Sequence, residues 1–251
     1  MPSKHQKWAL LASVLFALML WQLISMCVDQ KLLMVSPITV LMRLTTIWQE
    51  NGFAASLLYS CTRIVGGFLL AFLLGALLGG LAARFRLVEI FLWPYVLTIK
   101  SVPVASFIII ALIWLTSGQL SVFISFLMVF PIIYANVLTG LRNTDRKMLE
   151  MAKLFHVSAY KRLFYIELPQ LKPFILSACG ASFGIAWKAG IAAEVIGIPT
   201  GSIGERLYEA KIYLNTADLF AWTVMIVLMS VVFEKLFMVL LRLFYRRLER
   251  L

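Results

Sequence analysis

The sequence predicts an all-α, polytopic membrane protein with six transmembrane helices, on three observations. Hydrophobic residues make up 62% of the 251 and charged residues only 14%, a balance outside that of soluble domains. The apolar residues gather in runs of about 18 or more, long enough to cross a bilayer core at about 1.5 Å per residue. The basic residues, in turn, collect in the segments between alternate runs, as they do where one side of each crossing is cytoplasmic.

The first run, Trp8 to Val28, is interrupted only by the polar Ser13, Gln22 and Ser25. Its apolar core is longer than that of a secretion signal, and Asp29-Gln30-Lys31 follows in place of a small-x-small cleavage site, so it is expected to be a retained span. Ile64 to Ala83 is the second and cleanest. Glu89 to Thr116 is apolar but broken by Pro94, Lys100 and Pro103. The pieces on either side of Pro103 are each too short to cross, so one long distorted span is expected. Leu120 to Leu141, Phe174 to Ile198 and Leu219 to Leu241 complete the six.

With the amino terminus inside, fifteen Lys and Arg fall on the cytoplasmic side and four, Lys31, Arg43, Arg206 and Lys211, on the other. Both termini are therefore expected in the cytoplasm. This asymmetry accounts for most of the net charge of +11, and no nucleic-acid partner is needed to explain it. Cys27, Cys61 and Cys179 lie apart, in or beside apolar runs, and fit packing rather than metal or disulfide roles.

The chain divides into a first span (1–28), an external segment (29–56) and a core of five spans (57–251) that includes a cytoplasmic loop (142–171). Ser36 before Pro37, with Ile38, Val40, Leu41, Leu44 and Trp48 following, predicts an interfacial helix with one apolar side. Arg43 and Glu50 are expected in water. The second span carries Gly66, Gly67, Gly75, Gly79 and Gly80, and the spacing of Gly75 and Gly79 suits close helix packing in lipid. In the outer segment 199–217, "GERLYEAKIYL" has helical spacing. No repeat of the kind that builds carriers from two halves is present, and six spans are few for a carrier working alone.

Residues 145–169 are polar, basic and helical in pattern. Asp145 stands at a helix start, with Met148, Leu149, Ala152 and Phe155 on one face. His156-Val157-Ser158 breaks the pattern, and Ser158 is placed to cap a second helix carrying Ala159, Leu163 and Ile166, which Pro169 ends or turns into the next span. Such a pair can pass a push to the spans it joins, or lie flat on headgroups.

Glu150-Met151-Ala152, then His156, then Ile166-x-Leu168-Pro169 resembles the EAA…G…I-x-L-P loop of permease subunits in ATP-binding-cassette importers. The likeness extends through "SPITVLMRL", "SLLYSCTRIVGGF", "KSVPVASFIIIALIW", "FPIIYANVLTGLRNTD" and "AWKAGIAAEVIG", and is greatest to the nitrate, sulfonate and taurine branch. It departs from the motif at Met151, in place of a small residue, and at His156, in place of glycine, where a left-handed turn suits His less well.

The resemblance implies the type I importer permease (MetI-like) fold in a bacterial inner membrane. It implies three kinds of protein partner: two ATPase subunits, a second permease copy and an external solute-binding protein. Glu150, Met151, Ala152, Phe155 and His156 would then form the ATPase contact, with Ile166, Leu168 and Pro169 at its exit. The sequence has no Gly-Lys dipeptide, hence no G-x-x-x-x-G-K loop. ATP and Mg are expected on the partner, with no cofactor in this chain and no catalysis by it. Ionisable residues inside spans are expensive and invite a functional question. Lys100 and Lys188 are the candidates for lining an anion pathway, whereas Arg63 and Glu194 are expected at headgroup depth or paired with each other. A sulfonate, taurine or nitrate is the expected cargo, although similar permeases also serve pyrimidine-type vitamin precursors. An ion-coupled carrier and a non-transporting scaffold are the alternatives from other classes.

Overall fold

A computed structural model describes residues 4–28 and 34–248. Asp29 to Lys31, on which the retained first span and part of the charge asymmetry rest, lie outside them. The described chain is helical throughout, without a strand. Helix α1 (Lys4–Val28) is anchored by Trp21, whose indole N–H donates to the Val35 carbonyl at 3.1 Å and whose ring lies 5.4 Å from Phe220.

The expected interfacial helix is α2 (Pro37–Thr46), with Ser36 accepting from the Thr39 N–H and proline in the first turn. Arg43 does not simply face water. It ion-pairs with Glu50 and with Asp218, at the start of the last helix. After a 3₁₀ turn (Ile47–Gln49), Gly52 at φ 83° turns the chain into α3 (Phe53–Arg84).

Helix α3 begins well before the uncharged run because Arg63 is accommodated within it. The guanidinium donates to the Gly118 carbonyl and lies 4.1 Å from the Tyr59 ring centroid, which offsets the cost of its charge. The third predicted span is broken into two helices. Helices α4 (Arg86–Ser101) and α5 (Val104–Ala111) meet at 104°. Pro103 has no N–H to continue α4 and drives Val102 into extended backbone at φ −85°, ψ 134°.

Helix α6 (Ser117–Arg142) packs between α3 and α9 (Leu168–Gly197). The close approach explains the glycines of α3. A Cβ at Gly67 would stand 2.3 Å from the Val122 carbonyl oxygen, and one at Gly79 would stand 2.9 Å from that of Tyr134. Around this three-helix centre Phe68, Phe183 and Trp187 are buried, with Phe237 of α11 (Thr216–Leu248) against Phe68. Between α9 and α11 lies α10 (Ile203–Ile212), on the predicted helical stretch.

Four helical stretches are long and apolar enough to cross a membrane: Phe53–Arg84, Ser117–Arg142, Ala159–Gly197 and Thr216–Leu248. The α4–α5 pair adds a fifth if it counts as one span, and α1 carries a shorter apolar stretch, Leu11–Cys27. The six predicted runs are thus four unbroken spans, one bent pair and one helix of smaller apolar length.

Candidate functional site

The polar loop joins α6 to α9 at the end of the bundle opposite α2 and α10. It consists of α7 (Arg146–Leu154), a turn, α8 (Ala159–Arg162) and a π turn (Leu163–Glu167) that runs straight into α9. Asp145 caps α7 by accepting from the Lys147 N–H at 2.8 Å, and the Gln170 side chain accepts from the Asp145 N–H at 2.8 Å. Ser158 caps α8, as its position after the break predicts.

His156 lies at φ 49°, in the left-handed region. The motif's glycine position is therefore turned as a glycine would be, at the cost of a Cβ in a poorly populated region. The turn closes with the Val157 N–H on the Ala152 carbonyl at 2.9 Å, a bond that ends helices at such residues. Pro169 does not end the second loop helix. It falls in the first turn of α9, directly after the π turn and within one helical stretch, Ala159–Gly197.

The site residues separate by exposure. Ala152 and Ile166 are buried, and Leu168 and Pro169 are half-buried at the start of α9. Glu150, Met151 and His156 are exposed, and Phe155 is 77% exposed. Phe155 therefore does not pack on the α7 face as its spacing predicts, because it is the C-cap, where the chain leaves the helix. Leu154 and Tyr160 are exposed as well, and a cavity of about 520 Å³ is lined by Glu150, Ala152, Lys153, His156 and Arg162, among others.

Sequence reading missed three side chains at this end. Glu167 is buried and accepts from Arg162 at 2.9 Å and from Arg84 at 3.5 Å. Arg142 donates to Glu89 through both terminal nitrogens, one at 2.8 Å, and so ties the end of α6 to the first turn of α4. An acid inside the I-x-L-P segment, five residues after an arginine, was the available signal for Glu167.

The cationic candidates lie on two elements. Lys100 is exposed in the last turn of α4, and Lys188 is exposed on α9 between the buried Trp187 and Ala189. Ile108 and Ala111 of α5 pack against Ala189 and Ala193, which brings the segment after the bend beside the part of α9 that carries Lys188. Lys188 thus stands on an open face of α9.

Arg63 and Glu194 are not a hydrogen-bonded pair. Glu194 is fully buried and accepts from Ser60 at 2.6 Å and from the Gly204 N–H at 3.3 Å, while Ser60 accepts from the Ile203 N–H at 2.9 Å. This knot seats the start of α10 on α3 and α9.

A family model described as "Binding-protein-dependent transport system inner membrane component" matches residues 71–250, from the packed face of α3 through α11. This chain belongs to that family. It is a permease subunit of ATP-binding-cassette transport, a non-catalytic component embedded in the membrane by several helices. A protein of Bacillus subtilis named for aliphatic sulfonates transport is 28% identical over 218 residues, covering 86% of this chain and 78% of the relative. The taurine transport system permease of Escherichia coli is 26% identical, covering 85% and 80%. The bicarbonate transport system permease of Synechocystis is 28% identical, covering 78% and 74%. The family's name makes the permease one part of a system with a solute-binding component.

Proposed function

We propose that this permease subunit forms, with a second copy of itself, the pathway of a small oxyanion, and is driven through residues 145–169 by a separate ATPase. The observation that carries the coupling reading is the loop's build. It is capped at both helices, closed by a left-handed turn, continuous with α9, and presents exposed apolar and acidic side chains beside a groove. Leu154 and Phe155 are exposed at the turn, which leaves them free to enter a protein partner.

Glu150, Met151, Phe155 and His156 would touch the ATPase, which binds ATP and Mg. Ala152 keeps the turn compact, and Ile166, Leu168 and Pro169 set the loop's exit. The termini and this loop then lie in the cytoplasm of a bacterium, and α2 and α10 face the external binding protein. ATP biases the assembly between inward- and outward-open states by binding one of them more tightly.

The cargo follows from the relatives' names, which specify sulfonates, taurine and bicarbonate. Delocalised anionic oxygens suit Lys100 and Lys188, and a cation on an open helix face is costly against lipid but not against a wet, anion-conducting passage. Two measurements test the reading. Glu150→Arg combined with Phe155→Asp should strip the ATPase from the purified complex, and an intact, active complex would overturn the docking assignment. Lys188→Met should cut solute uptake into vesicles to a small fraction of the parent rate, with unchanged uptake removing that residue from the pathway. Uptake by the chain without any ATPase would point instead to an ion-coupled carrier.

A further inference from the structure

We propose that Glu167 is a positioning residue that makes the loop and α9 move as one body. The inference rests on the coupling reading above and adds the joint through which a push must pass.

The joint is unusual in its backbone. Within the continuous helical stretch Ala159–Gly197, the Leu168 N–H bonds to the Leu163 carbonyl, five residues back. Such π turns are rare, squeeze an extra residue into the turn and recur at functional positions. Pro169 follows the turn closely and Pro173 comes one helical turn later, and neither has an N–H to give to the helix. The stretch is therefore least stiff where force applied to α7 and α8 would enter the span.

Charged side chains close around that weak point. One oxygen of Glu167 accepts from Arg162 Nε on the loop side, and the other from Arg84, the last residue of α3. Arg162 also lines the groove with Glu150 and His156. An occupant of the groove thus meets a side chain whose guanidinium holds Glu167, which in turn reaches a neighbouring span. A passive turn would be held as well by apolar packing, since burying a carboxylate carries a desolvation cost. What the ionic bridge adds is a fixed orientation between three elements. Without its charge, the π turn would bend under load and the push would be lost before reaching α9.

The test uses the permease purified with its ATPase and reconstituted in liposomes. Ala181 on the open face of α9 is replaced by Cys in a chain whose native cysteines are changed to Ala, and a membrane-impermeant maleimide is the probe. In the parent, trapping with ATP and vanadate should change the labelling rate. Glu167→Gln should keep the ATPase bound and hydrolysing, while the nucleotide-dependent change shrinks by roughly twofold to thirtyfold. Glu167→Asp should recover part of it. Arg84→Gln should reproduce the loss, and the double variant should be no worse than either single one.

A full labelling change in Glu167→Gln, or additive losses in the double variant, would overturn the proposal. So would release of the ATPase, which would make Glu167 a docking contact. If Glu167→Gln fails to fold, Arg84→Gln, at a partly exposed position, decides the question in the same way. An ATPase that never co-purifies with the parent would remove the coupling reading itself, and this inference with it, before any substitution is made.

Discussion

His156 occupies a backbone conformation in which a Cβ is strained, at φ 49°. Glycine relieves that strain but gains freedom in the unfolded chain, so His156→Gly should leave stability within about 0.5 kcal/mol. His156→Val, branched at Cβ, should cost about 1–2 kcal/mol. Thermal unfolding in detergent distinguishes the two. The Glu194 knot makes a second residue-level prediction. Glu194→Ala leaves the Ser60 hydroxyl and the Gly204 N–H without their acceptor, at about 1–3 kcal/mol for each buried group left unsatisfied. Glu194→Gln keeps an acceptor and should cost less. Gly204→Ala should be among the worst tolerated substitutions, because its Cβ would stand 2.3 Å from that of Glu194.

The helix caps in the polar segments were readable because they act within four residues. Ser36 caps α2 and Ser158 caps α8, as their positions before helical patterns predict. Ser36→Ala should weaken α2 by about 1 kcal/mol, seen as faster hydrogen exchange at the Thr39 and Val40 amides. The helix should not come loose, because Arg43 still joins it to Glu50 and Asp218. The third span was read less well. Proline spacing located the break at Pro103, but the 104° bend depends on where α5 finds partners, and these are Ala189 and Ala193 of α9.

At the scale of the molecule, the face of α9 bearing Ser177, Ala181 and Lys188 is exposed, and Gly180 and Gly184 have open space before them. Lipid is a poor neighbour for Lys188, which is why a second copy is proposed to share this face. Ala181→Cys in the cysteine-replaced chain should form a cross-linked dimer in native membranes, detected as a doubled mass on non-reducing gels. A chain that stays monomeric under oxidant would count against a shared passage there. The sequence alone determined the class, the positions of four unbroken crossings and the two-helix form of the loop. Each follows from local composition or short-range periodicity, and a bilayer permits few structures that satisfy the backbone within one segment. Tertiary structure alone decided what each of these charges meets: Glu194 the Ser60 hydroxyl across 134 positions, Arg63 the Gly118 carbonyl, and Glu167 the Arg84 guanidinium across 83. Those pairings depend on how three helices pack side by side, and the distance between two residues along a chain says nothing about which of their turns will touch.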